Sequence, residues 1–152
     1  MKPIVAFFAC LICVQLFACD KNNEMTRSLN DISNTDSMKL KITIGTNTFT
    51  ATVHNNATAK AFKAKLPLTI NMTELNGNEK YFDLPNNLRT NASNPSTIQT
   101  GDLMLYGSNT LVLFYKTFST SYNYSRIGRI DNPSGLTDAL GSGNKTVNFE
   151  LE

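Results

Sequence analysis

The chain has 152 residues, 41% of them hydrophobic, and a formal net charge of +2. That is enough apolar material for one core, and the small, scattered excess of Lys and Arg makes no basic stripe of the kind nucleic acid requires. A lone histidine, His54, gives no zinc site of the usual kind, and no metal or cofactor is expected.

The N-terminus carries Lys2 and then a nearly unbroken apolar run from Ile4 to Phe17, interrupted by Gln15. Small Ala18 and Cys19 follow, and the chain turns polar at once with Asp20-Lys21-Asn22-Asn23. This is the layout of a secretory signal peptide over 1–18, too short to span a bilayer comfortably as a permanent helix. Leu16-Phe17-Ala18-Cys19 resembles a bacterial lipobox, although Phe17 is bulkier than the commonest residue there. The resemblance implies cleavage before Cys19, acylation of its thiol and attachment to a membrane of the bacterial cell envelope. Cys10 and Cys13 would leave with the signal segment, so the mature chain is expected to have no disulfide. Residues 19–37 are polar, rich in Asn, Asp and Ser, and lack hydrophobic periodicity, which predicts a flexible tether.

The folded domain is expected over 38–152. Met38, Leu40, Ile42 and Ile44 alternate with polar residues, as do Phe49, Ala51 and Val53 after a Gly45-Thr46-Asn47 turn, so the two runs read as a hairpin. Ala59, Phe62 and Leu66 share one face at helical spacing. Asn56 or Thr58 can cap the start and Pro67 stops the helix, which is predicted over 57–66. Its narrow apolar face suits a plug in a barrel mouth or a bar across a sheet edge. Short strands follow at 68–72 and 80–82, then a loop over 83–96 with Pro85 and Pro95. Leu103 to Tyr106 and the near-continuous apolar run from Thr110 to Tyr115 read as strands, the second a central one. Arg126 to Ile130 is another strand, Pro133 to Leu140 one or two helical turns, and Val147, Phe149 and Leu151 the alternating positions of the closing strand. Many short strands and one real helix predict a mainly β protein, a small closed or nearly closed antiparallel barrel.

Several ordered stretches carry a resemblance. Asn56 to Phe62, Leu66-Pro67-Leu68, Asn76 to Tyr81, Gly101 to Tyr106, Leu113 to Tyr115 and Ile127 to Ile130 resemble the bacterial cyclophilin-like domain family, across essentially the whole folded region. The resemblance implies a small cyclophilin-like β-barrel. It also raises the question of prolyl isomerisation, for which cyclophilins use a Phe-His-Arg segment and a Phe-Met-x-Gln cluster. Neither stretch stands in this sequence: Arg89 lies in a polar loop, and Arg126 and Arg129 are not followed by Phe-Met-x-Gln.

Among residues that could carry chemistry, Tyr106, Phe114, Tyr115, Phe118, Tyr122 and Tyr124 form the densest set. Phe114 and Tyr115 are adjacent in a strand, so one is expected in the core and the other at the surface. Arg126 and Arg129, three apart, are likewise expected on opposite faces. Arg129 is the candidate donor to a carbonyl or anion; its structural alternative is an ion pair with Asp102 or Asp131. Glu79 and Asp102 could form an acid/base pair, although Gly-Asp before a strand is usually a turn device. His54 has no nucleophile in motif context beside it, and Gly141-Ser142-Gly143 lacks what a phosphate loop requires. The leading expectation is a monomeric, membrane-anchored module that binds a peptide or small ligand in an aromatic cleft near Tyr106, Tyr115 and Arg129. The alternatives are a divergent prolyl isomerase or other small enzyme, and an assembly protein of the cell envelope.

Replacing Cys19 by Ser removes the thiol that would be acylated. The variant should leave the membrane fraction or stay uncleaved, whereas the natural chain should carry acyl chains by mass spectrometry, each adding about 0.8 kcal/mol of membrane affinity per buried CH₂. A natural chain that fractionates as soluble and unlipidated contradicts the anchor.

Overall fold

The computed structural model describes residues 38–152. The signal peptide expected over 1–18, the tether expected over 19–37 and the expected acylation at Cys19 lie outside the described residues. Among the described residues, no helix is long and apolar enough to cross a membrane.

Ten strands and two short helices follow one another as β1 (Lys39–Ile44), β2 (Asn47–Val53), α1 (Ala57–Lys63), β3 (Leu68–Leu75), β4 (Glu79–Asp83), β5 (Thr97–Ile98), β6 (Asp102–Tyr106), β7 (Thr110–Phe114), β8 (Phe118–Ser119), β9 (Tyr124–Ile130), α2 (Leu136–Leu140) and β10 (Lys145–Leu151). Eight of them close an antiparallel barrel in the order β1-β10-β3-β4-β7-β6-β9-β2, and β2 returns to β1. Closure removes every edge from the main sheet. The alternation read from the sequence holds in β1, β2 and β10: Leu40, Ile42, Ile44, Ala51, Val147 and Phe149 point into one core.

The two helices plug opposite ends of the barrel. α1 joins β2 to β3. Asn56 caps it, its Oδ1 accepting from Ala59 N–H at 2.8 Å, while its Nδ2 donates to the Arg126 carbonyl at 2.9 Å and ties the helix start to β9. The helix is shorter than expected. From Lys65 the N–H bonds reach back only three residues, to Phe62 and Lys63, so a tighter turn leads into Pro67. Phe62 is buried and meets Phe149 edge to face, ring centroids 5.8 Å apart. α2, between β9 and β10, seals the far end with Leu136 and Leu140.

A second, smaller core lies outside the barrel wall. β4 and β6 both end at the rim where Thr110 begins β7, so the chain between them must cross the outer face to start β6. The chain between β7 and β9 must cross back. The two crossing segments pair through β5 and β8 and through a bridge between Ser93 and Tyr124. Under this strap, Ile98 packs on Met104, Val112, Phe114 and Tyr124. That is why β6 and β7 read as continuous apolar runs: both faces are covered. It also corrects the expectation for Phe114 and Tyr115. They do point to opposite faces, but Phe114 fills the outer core and Tyr115 the inner one, and neither is a surface residue.

A β-bulge overturns the reading of the two arginines. Leu103 pairs with Gly128 and Met104 with Arg126, leaving Ile127 as an extra residue in β9. The bulge resets the alternation, so Arg126 and Arg129 are both exposed while Ile127 and Ile130 are both buried. Gly128 is required at this point: a Cβ there would sit 2.7 Å from the Thr52 carbonyl oxygen of β2.

Phe62→Ala should lower the stability of the barrel by roughly 3 kcal/mol, measured by urea unfolding, because the vacated plug cannot be refilled by its neighbours. A loss under about 0.5 kcal/mol would show that the ring is not part of the core.

Candidate ligand-binding site

The outer face of β4 and its neighbours forms one wall of a cavity of about 550 Å³, and the strap forms the other. Strand alternation sets the first wall. Glu79, Tyr81 and Asp83 project outward from β4, Thr110 and Val112 from β7, and Tyr106 from the end of β6. Residues 118–122 of the strap close over them, with Tyr122 at the rim and Tyr124 behind. Tyr106 and Tyr122 stand nearly perpendicular, interplanar angle 88° and centroids 6.0 Å apart. Tyr106 also leans on Tyr124 at 5.6 Å. Tyr106 is 45% exposed, Tyr122 61% and Leu75 40%. These are three of the four exposed large hydrophobic side chains among the described residues, and all three line this cavity. Such convergence marks a contact surface more strongly than scattered exposure does.

Asp83 accepts a hydrogen bond from Thr110 Oγ1 at 2.6 Å. Burial, and then repulsion from Glu74, push the Glu79 carboxyl above its ordinary range. Burial and the Glu79 charge also hold the Tyr124 phenol protonated to higher pH than usual.

The three residues expected at a cleft do not meet. Tyr106 lines the cavity. Tyr115 is only 5% exposed and its hydroxyl donates to Glu74 Oε1 at 2.6 Å, inside the barrel. Arg129 borders a separate depression with Thr52, His54 and Asp131. Its Nε stands 3.7 Å from Asp102 Oδ1, the structural alternative read from the sequence. Asp102 also accepts from the Gln99 N–H at 2.8 Å, as a turn-stabilising aspartate does. Burial raises its proton affinity, with Arg129, Arg126 and His54 pulling the other way. Glu79 and Asp102 therefore serve different places, one lining the cavity and the other anchoring a turn and an arginine. Asp131 is held low by hydrogen bonds from Lys39 and Thr52. Among the described residues, no group of three His, Cys, Asp or Glu side chains could hold a metal ion.

The group that sequence reasoning missed is Lys80. It lies wholly buried inside the barrel, although a lysine in a short strand normally faces water. Its ammonium has three protons and three acceptors: the Glu74 carboxylate directly across the β3–β4 ladder, the Gly141 carbonyl at 2.8 Å and the Gly143 carbonyl at 2.6 Å. The Tyr115 ring covers it at 5.4 Å. With all three donors engaged, Lys80 clamps the loop between α2 and β10 onto the barrel end. The clamp turns the carbonyl oxygens of Gly141 and Gly143 toward a cation, the opposite of a phosphate loop, which presents N–H groups. Burial alone would raise the Glu74 pKa, but hydrogen bonds from Lys80 and Tyr115, the lysine charge and the Gly77 N–H together bring it below its ordinary 4.5. The Tyr115 phenol is raised by burial and by its carboxylate acceptor. The signal available in the sequence was the register: Glu74 and Lys80 flank the Asn76-Gly77 turn at opposed positions of one hairpin.

A closed eight-stranded antiparallel barrel, plugged by a helix and strapped on one outer face, defines a class of small β-barrel domains. The sequence model of the Cyclophilin-like family matches residues 42–152, and the chain belongs to that family. A solved structure with the same fold is the solution structure of a hypothetical protein from Archaeoglobus fulgidus, 20% identical, with a TM-score of 0.57 over 76% of this chain and 95% of that one. A comparison with curated proteins gave no match.

Lys80→Met leaves the partly buried Glu74 without its counter-charge and the Gly141 and Gly143 carbonyls without their donor, and should cost roughly 2 kcal/mol. Lys80→Met combined with Glu74→Leu should recover most of that loss, measured as a coupling between the two changes in urea unfolding. The acid limb has a defined sign. Glu74 titrates lower in the fold than in the unfolded chain, so the stability it contributes is complete above the ordinary carboxylate pKa and is lost as pH falls through the lower folded one. Glu74→Gln should therefore flatten the stability profile in that acid window.

Proposed function

We propose that this protein is a ligand-binding module of the bacterial cell envelope, held to a membrane through an acylated Cys19, with its binding site in the cavity between β4, β7, β6 and the strap. The observation that carries this reading is the convergence of Leu75, Tyr106 and Tyr122, all exposed, on one cavity. An open cavity with exposed tyrosines supports capture of a ligand over a purely structural assembly role, for which self-filled walls would be expected. Its volume of about 550 Å³ suits a small molecule. Tyrosine supplies a flat apolar face and a hydroxyl that can orient the occupant. Tyr106 keeps the role expected of it; Tyr115 supports the barrel end from within, and Arg129 serves its ion pair with Asp102.

Amide-detected NMR titration of the full-length protein with a fragment library of mixed charge should move the resonances of Leu75, Tyr106 and Tyr122 for some members. Tyr122→Ala should weaken those members by about 1 kcal/mol or more while leaving the circular dichroism spectrum unchanged. A library that moves nothing at the cavity overturns the binding reading. Catalysed exchange of proline-containing peptides, lost on mutation of a cavity residue, would replace it with an enzymatic one.

A further inference from the structure

The cavity has a sign. The chain as a whole is slightly basic, yet the charged side chains lining the cavity are both acidic, Glu79 and Asp83, with no Lys, Arg or His beside them. They come from alternate positions of β4 with Tyr81 between them, so the strand lays them in one row along the cavity wall. Neither has a cationic side chain within ion-pair distance among the described residues, unlike Asp131, Glu150, Glu74 and Asp102. Asp83 receives one hydrogen bond, from Thr110, which leaves most of its acceptor capacity unused. The wall thus carries two carboxylates with no counter-charge among its lining side chains.

The other half of the arrangement is aromatic. Tyr106 and Tyr122, nearly perpendicular and both exposed, stand with Tyr81 and Tyr124 around the same space. Tyrosine faces carry negative electrostatic potential and attract a cation held within about 6 Å of the ring centre. Carboxylates that lack a counter-charge and tyrosine rings set at right angles favour the same occupant.

Resting on the reading of this cavity as a ligand site, we infer that its ligand is a small organic cation, an ammonium carried on an apolar body. The charged head lies toward Asp83, which shares a row of the wall with Thr110 and Tyr106, and donates its N–H groups there, while the apolar body packs against Tyr106 and Tyr122 and Glu79 adds negative potential further along the strand. Neutral molecules of the same shape keep the aromatic contact and lose the charge contact. Anions meet uncompensated carboxylates and are rejected. Lys80, the cation next to Glu79 in the strand, points into the barrel and spends its three donors on Glu74 and the Gly141 and Gly143 carbonyls, so it has none left for the cavity.

The test uses three probes that share one ring: benzylamine, benzyl alcohol and benzoate, titrated into the full-length protein at neutral pH and read by amide shifts at Tyr106, Tyr122 and Glu79. Benzylamine should bind roughly tenfold more tightly than benzyl alcohol, and benzoate more weakly than either. Glu79→Gln with Asp83→Asn should remove the preference for the amine while leaving the alcohol's affinity within about twofold, because the tyrosine contacts remain. Added salt should narrow the gap between amine and alcohol. If alcohol or benzoate binds as tightly as the amine, the cationic assignment falls and the cavity remains a ligand site. If none of the three moves the cavity while other fragments do, the cationic assignment again falls alone. If no fragment of any charge does so, the ligand site falls with it.

Discussion

A lysine enclosed in a barrel must find an acceptor for each of its three protons, and that constraint organises one whole end of this molecule. Lys80 meets it with the Glu74 carboxylate and two loop carbonyls, under the ring of Tyr115. The arrangement fixes three separate elements at once: the β3–β4 hairpin that supplies the ion pair, the loop that supplies the carbonyls, and the residue just after β7, Tyr115, that supplies the ring. Thr137 of α2 adds a further tie by donating to the Tyr115 carbonyl at 3.0 Å. Replacing such a pair with apolar residues need not destabilise a protein, but leaving half of it does.

The same constraint shapes the outside. β4 alternates strictly, so turning Lys80 inward obliges Glu79, Tyr81 and Asp83 to face outward together. One strand therefore separates its charges by side, cation within and carboxylates without. The cavity inherits its acidic wall from this parity. It owes Tyr122 to the strap, which folds over because the connections around β6 must cross the barrel wall twice. Cavity and scaffold meet in β4, whose inner face secures the barrel end while its outer face lines the cavity.

How much of this was legible depended on what each residue faces. β1, β2 and β10 have one wet face, so their alternation was plain in the sequence. α1 was legible through Asn56 and the apolar face of Phe62, though not its last turn, which tightens before Pro67. β5 and β8, of two residues each, carry no periodicity at all and exist only through pairing with each other. The bulge at Ile127 inverted the expectation for Arg126 and Arg129, because period-two reasoning has no means of seeing an extra residue. The cavity was half legible. Its tyrosines stood out as a cluster, but Glu79 read as a candidate partner of Asp102 and Asp83 as the start of a loop, and only the strap brings them to Tyr122. Family membership accounts for the barrel; the cavity's chemistry had to come from side chains.

The barrel's seam has a consequence in time. β10 sits between β1 and β3, and its ladder to β1 joins Leu40 to Leu151, almost the full length of the domain. Two of the eight ladders of the ring therefore wait for the last residues of the chain. Pairings so distant in sequence make for slow folding, because the loop must close before the contacts reward it. A nascent chain that lacks β10 can pair β1 only with its hairpin partner β2, leaving the other edge of β1 unpaired. The ring cannot close around a chain that lacks β10, so this domain becomes a barrel only once its closing strand has emerged.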